Sequence, residues 1–347
     1  MTTGICVRVL EFGGPEKLIV EECPVEAPQA GEVRVCLTSI GMNHAELMAR
    51  RGEYKLSSGS PPFIPGVEGG GIIDAVGAGV PGSRLGERIV LSPGVVRRKN
   101  EQGGQQGTYR SHFLCASLEA IPAPAEIPDD QLGALWLSYL TAWGCLVWKQ
   151  QLKPAQIVAI PAASSSVGLA AAQVVASAGA VPIGLTSTPA KVDSIKALAE
   201  NRFTELLVTQ DAERKSVKWR RNMMDLTGGK GVDVFFDAVG AGDYLNTEIQ
   251  CLANHGTIWV YGLLGETAPV DVSPLIRKYA AIRGWILNEL VVEGGEVLGE
   301  GIQAIFDGFR TGVFKQHIAR SFPLKDVQEA HRFMEQGSHI GKLVLIP

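Results

Sequence analysis

The stretch from Gln156 to Lys191, QIVAIPAASSSVGLAAAQVVASAGAVPIGLTSTPAK, constrains this chain more than any other. A short apolar run, Ile157–Ile160, meets a cluster of small residues from Ala162 to Ser166. An Ala/Val-rich helical pattern follows from Val167 to Ala178, then Gly179 and a second apolar run, Val181–Leu185. The order reads as strand, tight turn, helix, strand, the opening βαβ unit of a nucleotide-binding sheet. Small residues let a pyrophosphate approach the helix N-terminus, where free N–H groups and the helix dipole favour anions. Ser164 and Ser166 stand where a G-x-G-x-x-G fingerprint has glycines, and only Gly168 remains. Read alone, the stretch fits either a cofactor-binding turn or an ordinary buried βαβ unit.

The alternation continues beyond it. Strands are expected at 157–161, 181–186, 205–209, 232–238, 256–262 and 281–287, with helices at 167–178, 189–200, 212–226, 242–253 and 274–279. Such a sequence makes a parallel, doubly wound sheet with right-handed crossovers. Residues 1–120 read as mainly β instead, with short apolar runs at Cys6–Leu10, Leu18–Glu22, Glu32–Ser39, Gly71–Val76 and Arg88–Leu91, divided by Gly, Pro and polar turns. Within them Asn43–Arg51 carries a helical pattern, and Gly94–Thr108 reads as a mobile surface loop. A helix is expected over 129–151, and near the end helices over 296–311 and 324–336 precede a strand at Lys342–Ile346. The expected organisation is a mainly-β domain over 1–126, an α/β domain over 127–287, and a return to the first domain over 288–347. Gly77, Gly79 and Gly82 also match G-x-G-x-x-G, but Pro81 and Gly86 prevent a helix from starting there. Without that helix there is no anion site, and the segment reads as a hairpin turn.

A net charge of −4 and the lack of any basic block argue against a nucleic-acid partner, since nothing offsets phosphate repulsion. Short basic groups such as Arg97–Lys99 and Lys218–Arg221 read as solvated faces. No apolar run is long enough to cross a bilayer and no leader pattern is seen, so a cytoplasmic protein with no membrane partner is expected. The six cysteines form no C-x-x-C pair and lie in or beside apolar runs, which predicts reduced, buried thiols.

Several segments, in this order and spacing, together resemble the medium-chain dehydrogenase/reductase superfamily. They are EFGGPEKL (11–18), NHAELMARRGEY (43–54), PFIPGVEGGG (62–71), LTAWGCL (140–146), SSSVGLAAAQ (164–173), TGGKGVDVFFDAVG (227–240), GTIWVYGL (256–263) and GKLVLI (341–346). The resemblance is to its zinc-free quinone oxidoreductase and enoyl-thioester reductase branch. It implies a GroES-like catalytic domain interrupted by a Rossmann domain. Zinc alcohol dehydrogenases carry a Cys at the site of Asn43 and a His at that of Val67. Catalytic zinc needs about three protein ligands, and Glu68 alone does not supply them, so no metal is expected.

NAD recognition places an acid at the end of the second strand. That end here is Thr186-Ser187-Thr188-Pro189-Ala190-Lys191, with hydroxyls and a lysine but no acid, which predicts NADPH. The same residues also make a helix start, with Ser187 or Thr188 as N-cap and Pro189 in the first turn. The resemblance places Thr141 near the nicotinamide, Ser164, Ser165, Ser166 and Val167 at the pyrophosphate, and Tyr261, Gly262 and Leu263 after the fifth strand. It places Trp285, Ile286, Leu287 and Lys342 at further cofactor contacts. Tyr261 and Trp285 also fit a core role, and Lys342 a plain edge lysine. Tyr54 corresponds to a tyrosine proton donor in related reductases, and Asn43 is a candidate to orient the substrate oxygen or the cofactor ribose. His44 is expected to be exposed, with Glu46 and Glu68 shaping the site. The implied activity is NADPH-dependent reduction of a small-molecule quinone, enone or enoyl thioester by a homodimer. A catalytically weak NADPH-binding sensor or RNA-binding relative, or an alcohol dehydrogenase-type carbonyl reductase, are the alternatives.

Overall fold

The computed structural model describes residues 3–54, 59–96, 103–211, 213 and 215–347. The chain forms two compact units, one built from residues up to Leu137 with Ile318–Pro347, the other from Ser138–His317.

The first unit opens with a hairpin of β1 (Thr3–Val9) and β2 (Leu18–Pro24), then the long β3 (Glu32–Met42) and helix α1 (His44–Arg51). β4 (Gly70–Val76), β5 (Arg88–Leu91), β6 (His112–Ala116) and β7 (Ala120–Pro122) follow. The second unit carries α2 (Trp136–Trp143, begun in the first), β8 (Ile157–Ile160), α3 (Ser166–Ser177), β9 (Val181–Thr186), α4 (Val192–Lys196) and β10 (Glu205–Val208). It continues with α5 (Trp219–Leu226), β11 (Val232–Asp237), α6 (Gly242–Cys251), β12 (Leu252–Val260), α7 (Ser273–Lys278), β13 (Ala281–Gly284), α8 (Leu287–Glu293) and α9 (Gly295–Arg310). β14 (Ile318–Pro323), α10 (Val327–Glu335) and β15 (Lys342–Ile346) return to the first unit.

Alternation of buried and partly exposed residues along β3 gives it the period-2 pattern of a sheet with one face in a core. Its strands run β14-β15-β3-β4-β5-β7, with β6 also paired to β3. The second unit has the order β10-β9-β8-β11-β12-β13, every pairing parallel. This is the 3-2-1-4-5-6 order of a Rossmann sheet, with its switch point between β8 and β11. The first unit is the mainly-strand GroES-like partner, and the Gly77–Gly82 segment is a turn between antiparallel β4 and β5.

Five expectations shift. Residues 127–137 lie in the first unit, because Gly133 N–H donates to Ser39 Oγ at 2.8 Å and Gly41 N–H to Gly133 O at 2.7 Å. Residues 288–317 lie in the second, where Phe309 meets Tyr139 edge-on at 5.2 Å and Gln173 bonds Lys315 N–H and C=O at 2.8 and 3.1 Å. The single helix over 129–151 divides into a 3₁₀ turn at Asp129–Gln131, α2, and a π-helical turn at Gly144–Lys149, since 132–135 are tied to β3. The helix expected from 212 begins at Trp219, because Asp211 Oδ1 accepts from Glu213 and Lys215 N–H at 3.0 and 2.8 Å and folds a turn there. The described part of the polar 94–108 segment is largely buried: Gln105 Nε2 donates to Gly66 O at 2.8 Å, and a Cβ on Gly104 would sit 2.1 Å from Pro62 O. Arg97–Lys99 lies outside the described residues.

Candidate active site

Two groups of site residues form, one in each unit. In the second, β8 ends in a turn where Ala162 takes a positive φ of 51° and Ser165 N–H closes onto Ala162 O at 2.8 Å. Ser165 is the N-cap of α3, and its hydroxyl accepts from Gly168 N–H at 3.0 Å. The N–H groups of Ser166 and Val167 are left in the first turn, where no intrahelical acceptor exists, and both residues are part-exposed. Gly168 is required: a Cβ there would lie 2.6 Å from Ala162 O. The turn therefore offers the backbone donors and close approach that a pyrophosphate needs.

At the end of β9, Thr188 N–H donates to Thr186 Oγ1 at 3.2 Å, Thr188 caps the following 3₁₀ turn, and Ser187 is exposed. Lys191 Nζ donates to Ser164 Oγ at 3.3 Å, joining the second-strand end to the first turn. Trp285 is buried, and its indole N–H donates to the carbonyl of buried Thr141 at 2.9 Å. Tyr261 stacks on Phe236 with ring centroids 4.0 Å apart, and its buried hydroxyl has no partner among the described residues. Gly262 is half-buried, Leu263 and Ile286 are exposed, and Leu287 begins α8, so the strand expected to 287 stops at Gly284.

In the first unit the register Leu343↔Met42 of β15 on β3 sets Lys342 beside Asn43. Lys342 is 1% exposed and donates from Nζ to Asn43 Oδ1 at 2.6 Å and Glu68 Oε1 at 2.5 Å. Asn43 Nδ2 donates to the same Glu68 oxygen at 3.1 Å, and Glu68 Oε2 accepts from Leu137 N–H at 3.1 Å. Lys342 is thus a buried counter-charge, and the plain-edge-lysine reading fails. Asn43 N–H donates to Glu46 Oε2 at 2.7 Å, half of a capping box at the start of α1. The other Glu46 oxygen is buried and has no partner among the described residues. Burial pushes the Glu46 carboxyl up to about 7, opposed by Lys342 and assisted by Glu68. His44 is exposed, and the Tyr54 hydroxyl, raised above its ordinary pKa by burial, makes no hydrogen bond among the described residues. Among those residues no group of three or more His, Cys, Asp or Glu side chains converges as metal ligands.

Two features escaped the sequence reading. Asp237 ends β11 fully buried, accepting from Val239 and Gly240 N–H at 2.6 and 2.8 Å, and burial raises its carboxyl to about 6. Its signal was an acid just before a Val-Gly turn at a strand end. Buried Arg50 joins Glu335 and His331, and His331 Nε2 lies 3.2 Å from the Tyr109 hydroxyl, tying α1 to α10.

Residues 29–125 match the alcohol dehydrogenase GroES-like domain, and residues 166–298 match the zinc-binding dehydrogenase family. The chain is 30% identical over 348 residues to 2-haloacrylate reductase from Burkholderia sp, covering 96% of each. It is 30% identical over 350 residues to quinone oxidoreductase 1 of Escherichia coli (strain K12), covering 97% of this chain and 98% of the relative. The crystal structure of Escherichia coli quinone oxidoreductase complexed with NADPH has a TM-score of 0.83 at 28% identity, covering 99% of this chain and 100% of that one. A Rossmann sheet with a GroES-like partner and matches over nearly the whole length define one class, and the chain belongs to the medium-chain dehydrogenase/reductase superfamily. Within it, the chain falls in the zinc-free quinone oxidoreductase-like branch.

Proposed function

We propose that the protein is an NADPH-dependent oxidoreductase that reduces quinones, enones or other α,β-unsaturated carbonyls, enoyl thioesters among them, without zinc. The observation that carries this reading is the acid-free end of β9, where Lys191 reaches Ser164 at 3.3 Å. Residues 186–191 contain no carboxylate to repel a 2′-phosphate, while Lys191 and the exposed Ser187 offer a cation and a donor. Ser164, Ser165, Ser166 and Val167 hold the pyrophosphate, Ser166 and Val167 through free N–H groups. In the same unit, Thr141, Thr186, Thr188, Tyr261, Gly262, Leu263, Trp285, Ile286 and Leu287 complete the cofactor's surroundings in this reading.

When bound, NADPH supplies a hydride. Quinone oxidoreductase and 2-haloacrylate reductase are names of relatives whose substrates are electron-poor conjugated systems, which supports the same class here. The anion left after reduction needs a proton. Tyr54 holds one at neutral pH, because burial raises its phenol above the ordinary value. Lys342, fixed by Asn43 and Glu68, adds positive charge that favours the developing anion. Stopped-flow oxidation of NADPH with quinone and enone panels tests the reading, and no oxidation with either panel sinks it. Stoichiometric, tightly held zinc by metal analysis would overturn the zinc-free step.

A homodimer is part of the proposal. β13 is one of the two edge strands of the Rossmann sheet, the other being β10, and Ile276 and Tyr279 just before it are 78% and 72% exposed. Light scattering that gives a monomer mass at micromolar concentration would refute it.

A further inference from the structure

We propose a second ligand site in the first unit, a cleft that binds a small organic carboxylate with an apolar body through Arg110. The cleft has a volume of about 260 Å³, at the lower edge of small-molecule pockets, which suits a compact metabolite and not a dinucleotide. Cys6, Cys23, Val25, Ile64 and Phe113 give it apolar walls. Arg34 lies near the start of β3, whose far end runs into Asn43. Arg34 is nine residues of strand from Asn43, roughly 30 Å at about 3.3 Å per residue, while Arg110 on the other wall lies two residues from Thr108, whose hydroxyl donates to Glu68 O at 2.8 Å.

Three guanidiniums line the cleft, and their pairing decides the chemistry. Arg8 Nε meets Glu21 at 2.5 Å, and Arg34 holds Asp74 through Nε and Nη2 at 2.9 and 3.1 Å. Among the described residues Arg110 makes no ion pair with a carboxylate, and Glu26 acts on it only through its charge. Its Nε donates to Gly107 O at 3.0 Å and its Nη2 to Gln106 Oε1 at 3.3 Å, both neutral acceptors, and its guanidinium lies 5.9 Å from the Phe113 ring centroid. Nη1 makes no hydrogen bond among the described residues. Glu26, the remaining acid on the lining, is exposed to water and makes no hydrogen bond with Arg110. A partly desolvated guanidinium with one free edge, set among sulfur and hydrocarbon, is complementary to one planar anion on an apolar frame. Burial lowers the Arg110 pKa, the cost expected of a cation awaiting its anion. The Cys23 thiol is half-buried in this cleft, facing Cys6, and burial pushes it up to about 11, so it is a slow nucleophile and a usable reporter.

The test uses the full chain with benzoate, its neutral isostere benzamide, and inorganic phosphate as probes. Isothermal titration calorimetry should show saturable benzoate binding at one site per chain and no saturable binding of the other two. Arg110→Met should weaken benzoate by at least about tenfold, the loss of one charge-assisted hydrogen bond. It should leave NADPH oxidation unchanged. Benzoate, and not benzamide, should slow alkylation of Cys23 by iodoacetamide, followed by mass spectrometry of its peptide. That second readout decides the matter on the unaltered protein should Arg110→Met fail to fold. Undiminished benzoate binding in Arg110→Met, equal Cys23 alkylation with and without benzoate, or saturable binding of phosphate in preference to benzoate would overturn the proposal.

Discussion

Glu248 on α6 is fully buried, and neither carboxyl oxygen has a hydrogen-bond partner among the described residues. Burial first, and then the nearby Asp237 charge, raise its pKa well above the carboxylate range. In the unfolded chain the same group titrates near its reference value of about 4.3. The folded state therefore binds the extra proton, and stability is fully present below the unfolded pKa and lost as pH rises toward the folded one. Within that window the loss is about 1.4 kcal/mol per pH unit. Glu248→Met keeps the length of the side chain and removes both polar oxygens. We expect stabilisation of about 1–3 kcal/mol from the unsatisfied group alone, growing by up to about 1.4 kcal/mol per pH unit on going alkaline. Glu248→Gln also removes the titration, so it should show the same growth with pH relative to wild type but little of the constant gain, because its buried amide is left without partners. Asp237, raised to about 6, adds its own slope to every variant, so comparison is cleanest between pH 6.5 and 8.5, where it is already ionised. Five of the six tryptophans (Trp143, Trp148, Trp219, Trp259 and Trp285) lie in the second unit, so tryptophan fluorescence during urea unfolding follows this unit. A wild-type-to-Met difference that stays flat over that pH range, or a destabilised Met variant, refutes the reasoning.

Three further perturbations separate the roles assigned above. Lys342→Met leaves Glu68 charged, buried and unpaired, and should cost about 3–5 kcal/mol by chemical denaturation, with Lys342→Met/Glu68→Gln recovering a large part. Lys191→Ala should weaken NADPH by about tenfold or more in a fluorescence titration while changing NADH little, since one charge-assisted contact is removed only from the 2′-phosphate. Tyr54→Phe should lower turnover by about a hundredfold or more with the NADPH Kd unchanged, and equal turnover removes Tyr54 as the proton donor.

The Rossmann unit was legible because its information is local. A period switching between strand and helix, small residues at Ala162–Ser166 and an acid-free Thr186–Lys191 can be read without knowing what packs where. Its misses are tertiary. The 129–151 segment has helical composition throughout, yet Gly133 bonds to Ser39 and Gly41 on β3, and those contacts break the helix. Composition also misled at 103–108, where polar and glycine-rich residues are buried because glycine lets the backbone approach Pro62 and Pro65 closely. Not every cysteine is a buried one: Cys23 and Cys36 are only half-buried, although none of the six is joined in a disulfide.

The polar network was legible only as separate letters. Asn43, Glu68 and Lys342 are far apart in the chain, and what joins them is strand register, which a sequence with two apolar faces fixes only through its partners. Once β15 lies on β3 with Leu343 opposite Met42, the lysine has no route to water and must find its counter-charge inside. Glu68 meets that need and is met by it, so neither residue is independently replaceable. The positive charge answering Glu68 is then an ammonium carried by the chain itself, with Asn43 bridging the two at 2.6 and 3.1 Å. A Cys at position 43 would lose the amide that both donates to Glu68 and accepts from Lys342. The three residues form one substitution in physical terms, and a branch that carries Asn43 is expected to keep the buried lysine with it.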